Sequence, residues 1–169
     1  MQTILDKNQL HFTIQRLAHQ LIENHPDIEN TALIGIQTGG IYLADKIVEF
    51  LKDIQKDKPI KYGKLDITFY RDDIRKELHV PNQTFIPFSI ENKKVVLIDD
   101  VLFTGRTIRA ALDALQDFGR PQKVELCVLI DRKQSRQLPI QPDYWGKAID
   151  SINSETVKIK WEKEEVVIF

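Results

Sequence analysis

Val95-Val96-Leu97-Ile98-Asp99-Asp100-Val101-Leu102-Phe103-Thr104-Gly105-Arg106-Thr107 is the stretch of sequence that decides the fold. Its four opening apolar residues predict a buried central strand, because they form a continuous run without polar alternation. Two carboxylates follow this run, and a short Thr-Gly-Arg-Thr loop leads into a helix that starts at Thr107. The stretch therefore predicts a strand, a turn and a helix, with acidic side chains at the end of the strand.

The loop from residue 104 to residue 107 has the properties of a phosphate cradle. Gly105 allows close approach of the backbone, and the N–H groups at a helix start point toward an anion. Thr104 and Thr107 add hydroxyl donors. Asp99 and Asp100 only accept hydrogen bonds when ionised, so their natural partners beside a phosphate are sugar hydroxyls or a hydrated Mg²⁺. Together these residues predict a site for a monophosphate, with either sugar hydroxyls or a hydrated Mg²⁺ beside it.

Two other phosphate-binding motifs do not match this segment. A P-loop requires glycine five residues before Gly105 and lysine after it, but Asp100 and Arg106 occupy those positions. The glycines at 35, 39 and 40 do not have dinucleotide-binding spacing. An ordinary strand-to-helix turn with a solvated acidic pair remains the alternative.

Strands and helices alternate on both sides of this segment. A buried strand at 32–36 runs through a glycine turn at 37–40 into a helix that reaches Leu51, and residues 123–131 predict another buried strand. Further predicted elements are a helix from Asp6 or Asn8 to His25, and strands at 65–70, 156–161 and 166–169. This order predicts one α/β domain over residues 1–169, with a mainly parallel sheet flanked by helices and ligands at the carboxyl ends of its strands. The polar stretch from Arg71 to about Pro87 is long for a loop without structure and predicts a lid.

Composition narrows the classes of protein that this chain can represent. Of its 169 residues 42% are hydrophobic, which excludes disorder as the main state. Lys and Arg (24) nearly balance Asp and Glu (25), so a general basic coat for nucleic acid is excluded and an anion must be held locally. Cys127 is the only cysteine, the four histidines have no zinc-binding spacing, and the amino terminus has no basic segment followed by an apolar run. We therefore expect a cytoplasmic protein without disulfides, structural zinc or a membrane span.

Residues 95–107 resemble the 5-phosphoribosyl-1-diphosphate (PRPP) signature of type I phosphoribosyltransferases. Three further segments, 35–44, 66–73 and 138–140, resemble the PyrR family, whose members are pyrimidine-operon attenuation proteins that also act as uracil phosphoribosyltransferases. The likeness extends from about Leu10 to Val166. It implies the type I phosphoribosyltransferase fold, with a small hood and a flexible lid loop, and homodimers or larger homo-oligomers.

The resemblance also implies a role for individual residues in the transfer of phosphoribose from PRPP to uracil. Asp99 and Asp100 would bind the ribose hydroxyls, and residues 104–107 would bind the 5-phosphate. The turn before the second helix would receive pyrophosphate. In this fold the turn often contains a cis non-proline peptide, which we expect between Gln37 and Gly39. Gly39 departs from the family, which usually has arginine there. Mg²⁺ would arrive with PRPP, without a direct protein ligand. For catalysis the resemblance implies Arg71, Asp99 and Asp100, with Arg75 and Lys76 as further lid residues. For the base it implies Asp131, Arg132 and the segment before Thr156. For PRPP it implies Thr38, Gly39, Gly40, Asp99, Asp100, Val101, Leu102, Phe103, Thr104, Gly105, Arg106 and Thr107.

A second activity implied by the resemblance is attenuation through leader RNA, with affinity set by UMP. The matching positions are Arg16, His19, Arg136 and Lys147. Gln15 and Gln141 replace residues usual in the family, and the segment 132–136 looks one residue longer than its counterpart. The alternatives left open by the sequence are a phosphoribosyltransferase without RNA regulation and one that acts on a purine or another base.

Overall fold

A five-stranded parallel sheet forms the centre of the protein, in a computed structural model that describes residues 1–71, 83–152 and 154–169. Its spatial order is β3-β2-β4-β5-β6, so the strand at 94–102 lies in the middle. In chain order the strands are β1 (Gln2–Leu5), β2 (Thr31–Ile36), β3 (Lys61–Leu65), β4 (Lys94–Leu102), β5 (Lys123–Arg132), β6 (Tyr144–Ile149), β7 (Val157–Lys160) and β8 (Glu165–Ile168), and the helices are α1 (Lys7–Asn24), α2 (Gly39–Ile54) and α3 (Arg106–Leu115). The predicted parallel sheet is confirmed.

A second, smaller sheet stands beside the central one. It is antiparallel, with the order β1-β8-β7, and it joins the two ends of the chain, Thr3 pairing with Val167. The two tail strands agree with their sequence prediction, whereas β1 was not predicted. This sheet is the small hood expected for the fold.

Helix α1 begins at Lys7, directly after Asp6, which caps it together with Gln9. The Asp6 carboxylate accepts a hydrogen bond from the Gln9 backbone N–H (2.9 Å), and the Gln9 side chain accepts one from the Asp6 N–H (3.0 Å). This reciprocal capping box satisfies two of the N–H groups that a helix start leaves unpaired. The helix buries Leu10, Ile14 and Leu17 on one face, as the apolar spacing predicted.

The core has two halves, one on each face of the central sheet. Helices α1 and α2 cover one face through residues such as Leu17 and Leu43, and α3 covers the other with Ile108. Strand β4 contributes Val96 and Ile98 to the first half and Val95 and Leu97 to the second. Because β4 is buried on both faces, its sequence is a continuous apolar run.

Part of the sequence interpretation is wrong. A strand is predicted at 65–70, but β3 already ends at Leu65, and residues 68–70 form a short 3₁₀ turn. The reason is local: the Asp66 carboxylate accepts hydrogen bonds from the backbone N–H and the hydroxyl of Thr68 (2.9 and 2.6 Å), which turns the chain. Strand β3 lies earlier, in the lysine-rich segment interpreted as a connection, and β6 was interpreted only as an aromatic pair.

Two further predictions concern the lid and membrane segments. Most of the lid predicted between Arg71 and Pro87, including Arg75 and Lys76, lies outside the described residues. Phe85 is described, and its backbone pairs with that of Lys64. Among the helices of the described residues, none is both long and apolar enough to cross a membrane.

Candidate active site

A cavity of about 310 Å³ opens at the carboxyl edge of the central sheet. Its walls are Arg71, Asp99 and the loop of residues 101–107 with the first residues of α3. These groups come from two separate connections, one after β3 and one after β4. The structure therefore brings together three of the predicted elements: Asp99 of the acidic pair, the loop and Arg71.

The loop between β4 and α3 has the shape expected of an anion cradle. Gly105 has a φ of 94°, in the left-handed region that favours glycine, and its carbonyl oxygen accepts the first helical hydrogen bond, from the Arg109 N–H (3.0 Å). The Arg106 N–H donates to the Thr104 hydroxyl over 3.3 Å. The backbone N–H groups of the first residues of α3 have no carbonyl acceptor within the helix, because a helix start leaves its first N–H groups unpaired. These residues line the cavity. This arrangement suits an anionic phosphate.

Asp99 and Asp100 form a closely coupled acidic pair at the end of β4. The Asp99 carboxylate accepts from the Asp100 N–H (2.9 Å), and the Asp100 carboxylate accepts from the Val101 N–H (2.8 Å). Asp99 is 7% exposed, and burial, followed by the neighbouring charge of Asp100, raises its pKa well above the ordinary value, while Arg71 acts in the opposite direction. Burial also raises the pKa of Asp100. Groups that donate hydrogen bonds to this pair would favour its ionised form.

The turn before α2 packs directly against this acidic pair. Its Gln37–Thr38 peptide bond is cis, within the segment where the resemblance predicts one, and Gln37 is anchored by a bond from its N–H to the Leu65 carbonyl (2.9 Å). A Cβ atom added at Gly39 would overlap the Asp100 carboxylate, and one added at Gly40 would overlap the Ile98 carbonyl oxygen. Glycine at both positions therefore lets the two loops approach.

Phe103, directly before the cradle, is held by two arginines, one at the end of β5 and one in the connection between β5 and β6. Its ring lies under the Arg132 guanidinium, 4.0 Å from Cζ to the ring centre, and its carbonyl oxygen accepts from Arg136 (2.6 Å). Arg132 also donates to the Ser151 hydroxyl (2.7 Å) and the Ile152 carbonyl (2.9 Å), and Arg136 pairs with Asp131 (2.5 Å). The predicted base-pocket residues Asp131 and Arg132 are thus buried next to the cradle.

Residues 137 and 138 support the same loop and were not singled out for the site by the sequence. The backbone N–H groups of Gln137 and Leu138 both donate to the Thr104 carbonyl (2.9 and 3.2 Å), and Arg106 donates to the Gln137 side chain (2.9 Å). Leu138 and Ile140 also lie against Gly105. The signal was present in the Leu138-Pro139-Ile140 motif, which resembled the family without an evident reason.

Some predicted site residues contribute only their backbone, and others occupy a different surface. The Leu102 side chain is buried in the core. Arg16 and His19 lie on the exposed side of α1, where Arg16 donates to the Trp145 and Gly146 carbonyls of β6 (3.3 and 2.6 Å). Lys147 is exposed and reaches the Ile4 carbonyl (3.1 Å), whereas the Arg136 side chain is only 17% exposed. The predicted RNA contacts of these four residues stay predictions.

Within the described residues, no group of three or more His, Cys, Asp or Glu side chains could hold a metal ion. Asp99 lines the cavity, and Asp100 is bonded to it. A divalent cation here would need oxygen ligands from a bound substrate or from water to complete its coordination.

Comparison with known proteins agrees with this geometry. The model of the phosphoribosyl transferase domain matches residues 1–164. The chain is 49% identical over 160 residues to the bifunctional protein PyrR of Elusimicrobium minutum, covering 93% of this chain and 88% of that protein. It is 46% identical over 167 residues to the bifunctional protein PyrR of Deinococcus deserti, covering 98% and 90%.

Solved structures with the same fold include purine phosphoribosyltransferases. A hypoxanthine phosphoribosyltransferase from Staphylococcus aureus superposes with a TM-score of 0.68 at 23% identity, covering 88% of this chain and 77% of that one. A hypoxanthine-guanine phosphoribosyltransferase from Bacillus anthracis gives 0.65 at 19% identity, covering 88% and 82%. At these identities the likeness concerns the fold alone. The family model and the curated relatives show more: the chain belongs to the phosphoribosyltransferase family and, within it, to the PyrR proteins.

Proposed function

We propose that the protein transfers the 5-phosphoribosyl group from PRPP to N1 of uracil, giving UMP and pyrophosphate. The observation that carries this proposal is the cavity at the carboxyl edge, where Asp99, a phosphate cradle and Arg71 meet, with Asp100 bonded to Asp99 beside it. A ribose with a 5-phosphate needs all three kinds of group within one small space. Membership of the PyrR proteins supports uracil as the acceptor base.

Each part of PRPP has a counterpart in this site. Asp99 and Asp100 accept hydrogen bonds from the ribose 2- and 3-hydroxyls, and the N–H groups at the start of α3 hold the 5-phosphate. The glycine turn at 38–40 receives the pyrophosphate, and Arg71 contributes positive charge to it. Phe103 and its two arginines fix the side of the cradle from which the base approaches.

The chemistry exchanges one bond at the ribose C1 for another. The bond from C1 to the pyrophosphate oxygen breaks, the bond from C1 to N1 of uracil forms, and the N1 proton passes to the released pyrophosphate or to water. Positive charge develops on the ribose while negative charge develops on pyrophosphate, so the protein contributes mainly by positioning and by matching these charges. Mg²⁺ bound to PRPP would neutralise part of the pyrophosphate charge, and Asp99 and Asp100 are the residues beside which it would lie.

The experiment is a product assay with protein, Mg²⁺, PRPP and a panel of bases. We expect UMP from uracil, and a loss of about 100-fold or more in kcat/KM for Asp100→Asn, because a carboxylate would no longer fix the ribose. Absence of UMP above background would refute the proposal. Product from hypoxanthine or guanine in preference to uracil would establish the alternative of a purine enzyme.

A second function, RNA-dependent attenuation, is favoured by one specific observation. Arg16 is bound to the edge strand β6, on which Lys147 is exposed, and the exposed His19 lies three residues after Arg16 on α1, so two cations and a histidine share this surface on a chain of near-zero net charge. We propose that this surface binds the leader RNA of a pyrimidine operon, more tightly with UMP than without. RNA titration of wild type and His19→Ala tests it, and affinity no greater than for unrelated RNA would contradict it.

Arg16 needs separate treatment in that experiment. It donates to two carbonyls on the edge strand β6, so Arg16→Ala would lose structural hydrogen bonds as well as a cation. Arg16→Lys keeps the charge, and thermal unfolding of both variants separates the two effects. We further propose a homodimer or larger homo-oligomer, which sedimentation of the purified protein tests. The proposed location is the cytoplasm.

A further inference from the structure

Trp145 is an exposed aromatic residue that the catalytic site does not use. It lies on β6 with 45% of its surface exposed, while its neighbour Tyr144 is buried. Its indole borders a surface cavity of about 630 Å³, which is within the range of about 300–1,000 Å³ typical of small-molecule pockets. Pro139 and Pro142 also line this cavity. Apolar side chains from β6 and from the connection before it therefore form part of the pocket wall.

The charge of this Trp145 pocket is positive. Lys133 and Arg136 line it, against a single carboxylate, that of Asp131. Arg136 already neutralises Asp131 (2.5 Å), so the charge of Lys133 remains. Lys133 is exposed and has no partner within the described part of the chain. The exposed amide of Gln141 supplies both hydrogen-bond donors and an acceptor.

We propose that the Trp145 pocket receives one unpaired base of the bound RNA, with the base stacked on the indole and the adjacent phosphate near Lys133. This inference rests on the proposed RNA-binding function and gives it a specific site. Recognition of unpaired RNA combines aromatic stacking, hydrogen bonds to base edges and local positive charge, and the pocket has all three. A paired base cannot enter, because both its faces are already stacked within the helix.

The pocket lies close to the surface already proposed for RNA. Arg16 binds the backbone carbonyl of Trp145 itself (3.3 Å), and Lys147 is two residues further along β6. A strand of RNA crossing this edge of the sheet could therefore contact both cations and place one base in the pocket. Charge complementarity and continuity with these cations make RNA, rather than a second copy of the chain, the expected occupant.

Tryptophan fluorescence provides a direct test, because the chain contains only Trp145 and Trp161. In a Trp161→Phe background, the emission comes from Trp145 alone. The probes are a hairpin RNA with an unpaired loop, from a pyrimidine-operon leader, and the same sequence annealed to its complement as a duplex. We expect the hairpin to quench the emission, and the duplex to leave it nearly unchanged.

The matched variants are Trp145→Phe, Trp145→Val and Trp161→Phe. We expect Trp145→Val to weaken hairpin binding by about 5- to 150-fold, Trp145→Phe to restore most of it, and Trp161→Phe to bind like wild type. Equal affinity of Trp145→Val and wild type would overturn the pocket while leaving RNA binding intact. Wild type that does not bind the hairpin would overturn both proposals, and a change of oligomeric state in Trp145→Val would instead assign the pocket to contact between copies of the chain.

Discussion

Gly39 and Gly40 lie where the turn before α2 packs against the end of β4, and a side chain added at each would meet a different group. A methyl group at Gly39 meets the Asp100 carboxylate, which can rotate away, whereas one at Gly40 meets the Ile98 backbone in the central strand. We expect Gly39→Ala to fold normally and to raise the KM for PRPP about five- to tenfold, since Asp100 loses its bond to Val101. Gly40→Ala should lower the free energy of unfolding by about 1–3 kcal/mol.

Steady-state kinetics and thermal unfolding of the two variants check this prediction. Equal melting temperatures for both, or an unchanged KM in Gly39→Ala, would contradict it. The result also bears on the departure at Gly39, where the family usually has arginine. A longer side chain here requires a different Asp100 rotamer, so Gly39→Arg should raise KM unless the arginine itself contacts the pyrophosphate.

The acidic pair predicts an unusual dependence of stability on pH. Burial raises the pKa of Asp99, so the folded protein keeps a proton that the unfolded chain loses above about pH 4. Since the folded state binds more protons over this interval, the free energy of unfolding falls as pH rises from about 4 toward the folded pKa. We expect Asp99→Asn to be more stable than wild type at neutral pH, by about 0.5–2 kcal/mol, although less active.

Melting temperatures measured from pH 4.5 to 8 test this assignment, and a variant with the same pH slope as wild type would count against it. Binding supplies an independent check. The ribose hydroxyls favour the ionised pair, so PRPP with Mg²⁺ should release protons and bind more tightly as pH rises. Calorimetry in two buffers of different ionisation enthalpy measures that release.

At the scale of elements, the connection between β5 and β6 acts as a support for the phosphate cradle. Arg136 joins Phe103 to Asp131, and the backbone at 137–138 holds Thr104. Removing Arg136 alone would leave a buried carboxylate without its partner, so the informative variant changes both charges, as Asp131→Asn with Arg136→Gln. We expect a KM for PRPP raised about tenfold with kcat changed less, because the cradle loses its fixed position.

The matched control is Gln134→Ala, on the exposed side of the same connection. It should retain the wild-type KM. If the double variant also retains it at an unchanged melting temperature, the connection does not position the cradle.

Elements differed in how well the sequence could predict them. Strand β4, with Val95–Ile98, was predictable because a strand buried on both faces is apolar throughout. Edge strands have no such signal: β3 contains Lys61 and Lys64, and β6 contains Lys147. The alternation at 65–70 gave a false strand because the Asp66 carboxylate, bonded to Thr68, turns the chain there.

At the scale of the whole molecule, the sequence could place the acidic pair and the cradle but not their surroundings. Asp99 and residues 104–107 are close in sequence, so one motif includes them. The stacking of Arg132 on Phe103 joins positions 29 residues apart and depends on how β4 and β5 pair. Local patterns carry no information about such contacts, so the contact of Arg136 with Phe103 was not predicted; its RNA role came from the resemblance alone and stays a prediction.

The amino edge of the central sheet, opposite the cavity, contains a buried polar network that links the end of α1 to β2, β5 and β6. His25 follows α1 and lies 2.7 Å from the Glu125 carboxylate on β5; its other ring nitrogen is 3.3 Å from the Thr31 hydroxyl on β2. The Tyr144 hydroxyl, on β6, also donates to Glu125 (3.2 Å). Burial lowers the pKa of His25, against the opposing effect of Glu125. A neutral ring fits these contacts: Nε2–H donates to Glu125, and Nδ1 accepts from Thr31.

This network should make the fold sensitive to acid independently of the active site. A histidine with a folded pKa below 6.5 contributes stability that is complete above about pH 6.5 and is lost as pH falls through the folded pKa. We expect His25→Gln, which keeps hydrogen-bonding groups but cannot titrate, to cost about 1–3 kcal/mol at pH 7.5 and to show a shallower fall in melting temperature between pH 7 and 5. The kcat of the folded variant at pH 7.5 should match wild type, because the network lies at the other edge of the sheet. A pH slope equal to that of wild type would mean that other groups cause the acid sensitivity.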